Sequence, residues 1–171
     1  MKNTLINKPL PFVSNIFTFP HPVNEFAART VAGMVSLVCL IILFGNAMWL
    51  LPVLTYGFLA RVFTGPTLSP MGLLATKAIV PLMGNPSRPV PGPPKRFAQA
   101  IGFCSSITAT MLFYVWGLVS ATKVTIAILL AFATLESVLG FCAGCFVFGY
   151  LMRVGLIPKE TCEKCANLTF Q

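Results

Sequence analysis

The sequence predicts an all-α integral membrane protein with four transmembrane helices and a short interfacial or re-entrant helix between spans two and three. Three observations carry that prediction. Of the 171 residues, 56% are hydrophobic and only 9% are charged, whereas a water-soluble domain carries about 25% charged residues on a wetted surface. The acids are Glu25, Glu136, Glu160 and Glu163, with no aspartate, so lipid is the expected solvent for most of the surface. Finally, the basic residues flank apolar runs instead of forming a basic face. This excludes nucleic acid as a partner, since no aromatic stacking module accompanies them.

The elements follow in order. Residues 1–25 form a cytoplasmic arm in which Pro9, Pro11, Pro20 and Pro22 interrupt any apolar run. No cleavable signal is expected there, and the first hydrophobic segment is retained as a helix. The membrane domain covers residues 26–156. Its first span, about 26–45, has the ~20 residues needed to cross a bilayer. The second, about 48–63, contains Pro52 and is expected to kink or tilt, with Trp49 and Tyr56 as candidate interfacial anchors. Residues 64–96 are rich in turn signals, and GNPSRPVPGPPKR brings five prolines and three basic residues together. Between these signals, the apolar stretch 71–83 is too short to span. The third span is placed at about 97–119, with a turn at Ser120, Ala121 and Thr122, and the fourth at about 124–151. Residues 157–171 form a polar, cysteine-containing tail.

Charge orients the bundle. Lys2, Lys8, Arg29, Arg61, Lys77, Arg88, Lys95, Arg96, Arg153, Lys159 and Lys164 fall on one side of this topology, and Lys123 on the other. The positive-inside rule makes the basic side cytoplasmic, with both termini there. The expected setting is a multi-pass protein of an inner (plasma) membrane.

Chemistry centres on the cysteines. Cys142-Ala-Gly-Cys145 and Cys162-Glu-Lys-Cys165 are separated by sixteen residues, a spacing that suits a four-cysteine metal site. Pairing spans three and four about Ala121 puts Cys104 within about 5 Å of the depth of Cys142. Cys104, Cys142 and Cys145 are therefore expected to converge. Paired thiols in a reducing compartment point to redox or metal chemistry more than to structural cross-links. A dry environment opposes thiolate formation and weakens the redox reading unless water or a cation reaches the pair. Cys39 reads as a small buried hydrophobe.

Glu136 is the acid inside a span, so it should face the bundle or a water pocket. On a continuous helix, Glu136, Gly140 and Gly144 share a stripe whose G-x-x-x-G suits close packing with a partner helix or a second copy of the chain. Ser105, Ser106, Thr108 and Thr110 are its expected polar neighbours. On the same helix Cys142 and Cys145 would lie about 120° and 180° away, which disfavours direct proton exchange with Glu136.

The segments FTFPHPVNEFAAR, GPTLSPMG, GPPKRFAQAIG, LESVLGFCAGC and GLIPKETCEKC resemble an uncharacterised bacterial membrane family, catalogued as a domain of unknown function. The resemblance implicates Pro93, Lys95, Arg96, Glu136, Cys142, Cys145, Cys162 and Cys165. Its association with thioredoxin-like and rhodanese-like domains implies thiol or sulfur chemistry, with such a protein as partner. The first functional expectation is thus a thiol–disulfide oxidoreductase that relays reducing equivalents between the two pairs, with Cys104 as a resolving thiol and Glu136 as a proton carrier. It requires no cofactor. A second is a module holding Zn, Cu or an iron–sulfur cluster on Cys142, Cys145, Cys162 and Cys165. A third is a scaffold or accessory subunit. No nucleophile–base pair for hydrolysis is evident, and His21 is the sole histidine.

Overall fold

A computed structural model describes residues 23–155. The elements are β1 (Val23–Asn24), α1 (Glu25–Gly45), α2 (Leu50–Thr64), α3 (Pro70–Leu82), β2 (Pro89–Val90), α4 (Gly92–Tyr114), α5 (Val119–Leu139) and α6 (Ala143–Arg153). Helices α1, α4 and α5 are each long and apolar enough to cross a membrane. The 15 residues of α2 rise only about 22 Å, short of a hydrocarbon core of ~30 Å. The expected 71–83 helix is present as α3. Its centre, Ala75–Ile79, widens into a π turn.

The largest packing interfaces pair α1 with α5 and α2 with α4, while α4 also packs on α5 and α6. Their shared core contains Val35, Cys39, Ile42, Leu51, Leu54, Phe58, Ala109 and Ile126. Cys39 is fully buried there, as expected of a small hydrophobe. Outward positions remain apolar: Phe44, Trp49, Trp116, Ile128 and Val138 are each more than half exposed. Water would penalise such a surface, and lipid does not.

Two boundaries differ from the sequence reading. Helix α4 starts at Gly92 and ends at Tyr114, so the turn into α5 occupies 115–118 instead of 120–122. Pro93 and Pro94 explain the early start, because proline is compatible with a first helical turn, where its missing N–H has no intrahelical role. The predicted fourth span is also broken. Gly140, at φ +72°, ends α5 and donates its N–H to the Glu136 carbonyl at 3.0 Å. Arg29 then binds the exposed carbonyls of Ser137 (3.2 Å) and Val138 (2.7 Å). A left-handed glycine plus a cation at the carbonyl end is an effective helix stop. The G-x-x-x-G stripe therefore does not exist as one helical face.

The same end of α1, its start, is also fastened to the proline-rich connection. Asn24 caps α1 by accepting the Phe26 N–H at 3.1 Å, and its amide donates to the Pro86 carbonyl at 2.9 Å. A short antiparallel pairing of Val23 with Val90 completes this join.

Close helix approach makes one position diagnostic. A Cβ on Gly102 would collide with the Phe58 ring across the α2–α4 interface. Gly102→Val should destabilise the bundle by about 1–3 kcal/mol through overpacking. Thermal unfolding in a non-ionic detergent checks this, with Gly149→Ala, which meets open space, as the control.

Candidate functional site: a dithiol beside a buried ion pair

The break at Gly140 creates a second helix start. Cys142 takes an extended backbone conformation and caps α6, its Sγ accepting the Cys145 N–H at 3.3 Å. The Cys145 S–H also points to this sulfur, with Sγ atoms 2.6 Å apart. The i, i+3 spacing brings the thiols together on the first turn, and the unpaired N–H groups of that turn favour negative charge on the cap. Gly144 permits this placement. A Cβ there would meet the Ala98 backbone at 2.6 Å, so α6 lies directly against α4.

Helix α4 contributes the neighbouring cation. Lys95 Nζ donates to Glu136 Oε1 at 2.7 Å, joining the first turns of α4 to the last turn of α5. The two side chains are only 9% and 14% exposed. Such a pair is costly to break, because removal of one partner leaves a buried charge without compensation.

The dithiol lies beyond the end of α5, outside the three long helices. Its two thiols are pushed in opposite directions. Cys142 is held below the ordinary thiol value, chiefly by the hydrogen bond from Cys145, with help from the Lys95 ammonium and against burial and Glu136. Cys145 is raised, first because it donates that bond and then by burial. The two sulfurs are thus made unequal, Cys142 accepting the hydrogen bond that Cys145 donates. Cys142 is buried, whereas Cys145 is half-buried.

The structure brings Glu136, Lys95, Cys142 and Cys145 together, which a continuous helix would not. The helix-wheel separation of Glu136 from the thiols does not apply, since the helix is interrupted at 140–142 between them. Lys95, and not the serines and threonines of α4, partners the carboxylate. Ser106 instead donates to the Phe103 carbonyl, and Thr110 to that of Ser106. Cys104 is exposed on α4 and forms no three-residue cluster with Cys142 and Cys145. Among the described residues, no group of three or more His, Cys, Asp or Glu side chains could hold a metal ion. Cys162 and Cys165, and with them the four-cysteine arrangement, lie outside the described residues.

A second buried cation stands nearby. Arg61, 4% exposed near the end of α2, donates to Gln99 Oε1 at 2.8 Å and to Ser69 Oγ at 3.3 Å, and stacks over Phe58 at 4.5 Å. Its Nη2 is buried with no acceptor among the described residues. A donor left this way costs about 1–3 kcal/mol, more when charged. Sequence reasoning used Arg61 only for orientation. Its place within an apolar run, one turn before Gly65, was the available signal.

Comparison with known families matches residues 23–153 to the Domain of unknown function (DUF4395), and the chain belongs to this family. Comparisons with curated proteins and with solved structures gave no match.

The ion pair yields a direct test. Lys95→Met or Glu136→Leu alone should destabilise the protein by about 3–5 kcal/mol, since each strands the opposite charge. The double variant should recover most of that loss, because it removes both charges. Unfolding midpoints for the four proteins of this cycle measure the coupling. Additive losses would show that the pair does not hold α4 to α5.

Proposed function

We propose that this DUF4395 protein is a membrane thiol–disulfide redox protein whose working pair is Cys142–Cys145. The carrying observation is the placement of both sulfurs on the first turn of α6, with Cys142 as its cap. In the oxidised state the two sulfurs would be joined. An incoming thiolate attacks the more accessible Cys145 sulfur, forms a mixed disulfide and expels Cys142 as a thiolate. Exchange is faster when the leaving thiol has a low pKa, and the helix start and Lys95 supply that stabilisation. A second thiol of the donor then attacks its own sulfur in the mixed disulfide and releases Cys145. Two electrons and two protons pass to the pair, and the donor leaves as a disulfide.

The donor that fits the sequence is the Cys162–Cys165 dithiol, itself rereduced by a thioredoxin-like or rhodanese-like protein. The short α2 completes a hairpin with α1, making four membrane-inserted segments. The ends of α1, α2, α4 and α5 that carry Arg29, Arg61, Lys95 and Glu136 are gathered at one basic face, while Lys123 lies on α5 just after the opposite turn. This distribution supports a cytoplasmic position for the dithiol and both termini by the positive-inside rule.

Two measurements address this reading. In wild type, glutathione buffers of increasing oxidation should convert Cys142 and Cys145 from alkylatable thiols to one intramolecular disulfide, read by mass spectrometry. Cys142→Ser should accumulate glutathione on Cys145, because the resolving thiol is gone. A pair that stays fully alkylatable under oxidising buffer would sink the proposal. Iodoacetamide kinetics test the electrostatics. Cys142 ionises at lower pH than a free thiol of ~8.5, so its alkylation should persist below that pH and fall only as the lowered value is passed. Lys95→Met removes a stabilising cation and should move the profile to higher pH.

A further inference from the structure

A cavity of about 230 Å³ opens between the start of α1, the end of α2, the middle of α3 and the start of α4. Its wall is divided by chemistry. Val23, Ala27, Ala28, Val31 and Pro66 give an apolar side, whereas Arg61, Lys95, Gln99 and Thr76 bring polar atoms. The π turn of α3 contributes to this shape, since Thr76 belongs to it and turns back to the Gly72 carbonyl at 2.8 Å. A Cβ on Gly72 would press into the Pro66 backbone, so the segment before α3 lies tightly against the same wall.

The polar side carries an imbalance. Two buried cations, Arg61 and Lys95, line the cavity. The carboxylate that acts on both is Glu136, and its Oε1 is bonded to Lys95 at 2.7 Å. Arg61 has neutral partners in Gln99 and Ser69, and Nη2 has no acceptor among the described residues. An arginine kept in an apolar site with an unused donor is suited to oxygens of a small anion, which a planar guanidinium grips more specifically than an ammonium does.

We propose that this cavity binds a small amphiphilic oxyanion, with its oxygens on Arg61 and its apolar part along Ala27, Ala28 and Val31. A free phosphate ester and the phosphate headgroup of an anionic lipid share this chemistry. The proposal stands independently of the redox reading, because neither sulfur lines the cavity.

The test uses the full chain in dodecyl maltoside, titrated with butyl phosphate at constant ionic strength. A saturable rise in unfolding temperature of about 3–6 °C is expected once the site is nearly filled. Butanol, which lacks the anion, should produce no such rise. Ala28→Leu fills the apolar side of the cavity and leaves Arg61, Gln99 and Ser69 in the sequence, and it should abolish the effect while retaining the wild-type fold. Arg61→Gln should abolish it as well, and if that variant does not fold, Ala28→Leu and Gln99→Leu carry the test. A parallel arm compares nanodiscs of phosphatidylglycerol and phosphatidylcholine. Stabilisation by phosphatidylglycerol alone, lost in Ala28→Leu, supports the site and assigns the source to lipid. A response to neither phosphate source overturns the proposal, as does a response that never saturates or that survives in Ala28→Leu.

Discussion

A charge surrounded by apolar helices must find its counter-charge within the protein, and here that constraint is met by the bond between Lys95 and Glu136. It fixes the start of α4 against the end of α5, and the rest of the basic face is built around the join. Helix α6 can cross α4 at Ala98 because the ends are already together. The cap position of Cys142 follows from where α6 must begin. Electrostatics, helix termination and thiol placement are thus consequences of one contact that spans 41 residues of sequence.

Composition made the membrane class legible, and apolar length located α1 closely, whereas α4 was set about five residues late and the fourth span was carried twelve residues past the end of α5. The site was less legible because two local choices carried long-range consequences. Centring the turn on 121 places residue 106 opposite Glu136, whereas the turn at 115–118 places residue 97 there. That is a shift of about 14 Å along α4, from the serines to the vicinity of Lys95. A lone acid in an apolar run asks for a cation, and Lys95 on the adjacent helix was the chemically stronger candidate. The second choice concerned Gly140. Hydrophobicity is nearly unbroken through LGFCAGCFVFG, so periodicity alone continues the helix. The stop combines the left-handed Gly140 with Arg29, and the second half is one that no local pattern around Gly140 reveals. Residue type did point to the pair, since two cysteines three apart were recognisable in sequence, but their place at a helix start was not.

The same end of the bundle holds two cations for different purposes. Lys95 is paired and adjusts the thiols, while Arg61 braces α2 against Gln99 of α4 and Ser69 before α3. Their exposed counterpart, Arg88 with Glu25 at 3.3 Å, involves an arginine 70% accessible to solvent and contributes little by comparison. Burial, not the number of charges, separates the interactions that shape this face from those that decorate it.

The carbonyls capped by Arg29 have a consequence for biosynthesis. Arg29 is synthesised 108 residues before Ser137, which at ~5–20 residues per second corresponds to roughly 5–20 s of translation. For that interval α1 has been made but its arginine has nothing to cap. The end of α5 has its Gly140 from the start but acquires the cationic part of its stop only when the two segments meet. A nascent chain could therefore extend α5 into the sequence of α6 before docking, and the Cys142 cap would form last. The two cysteines would come together on the first turn of α6 at the final closure of the bundle.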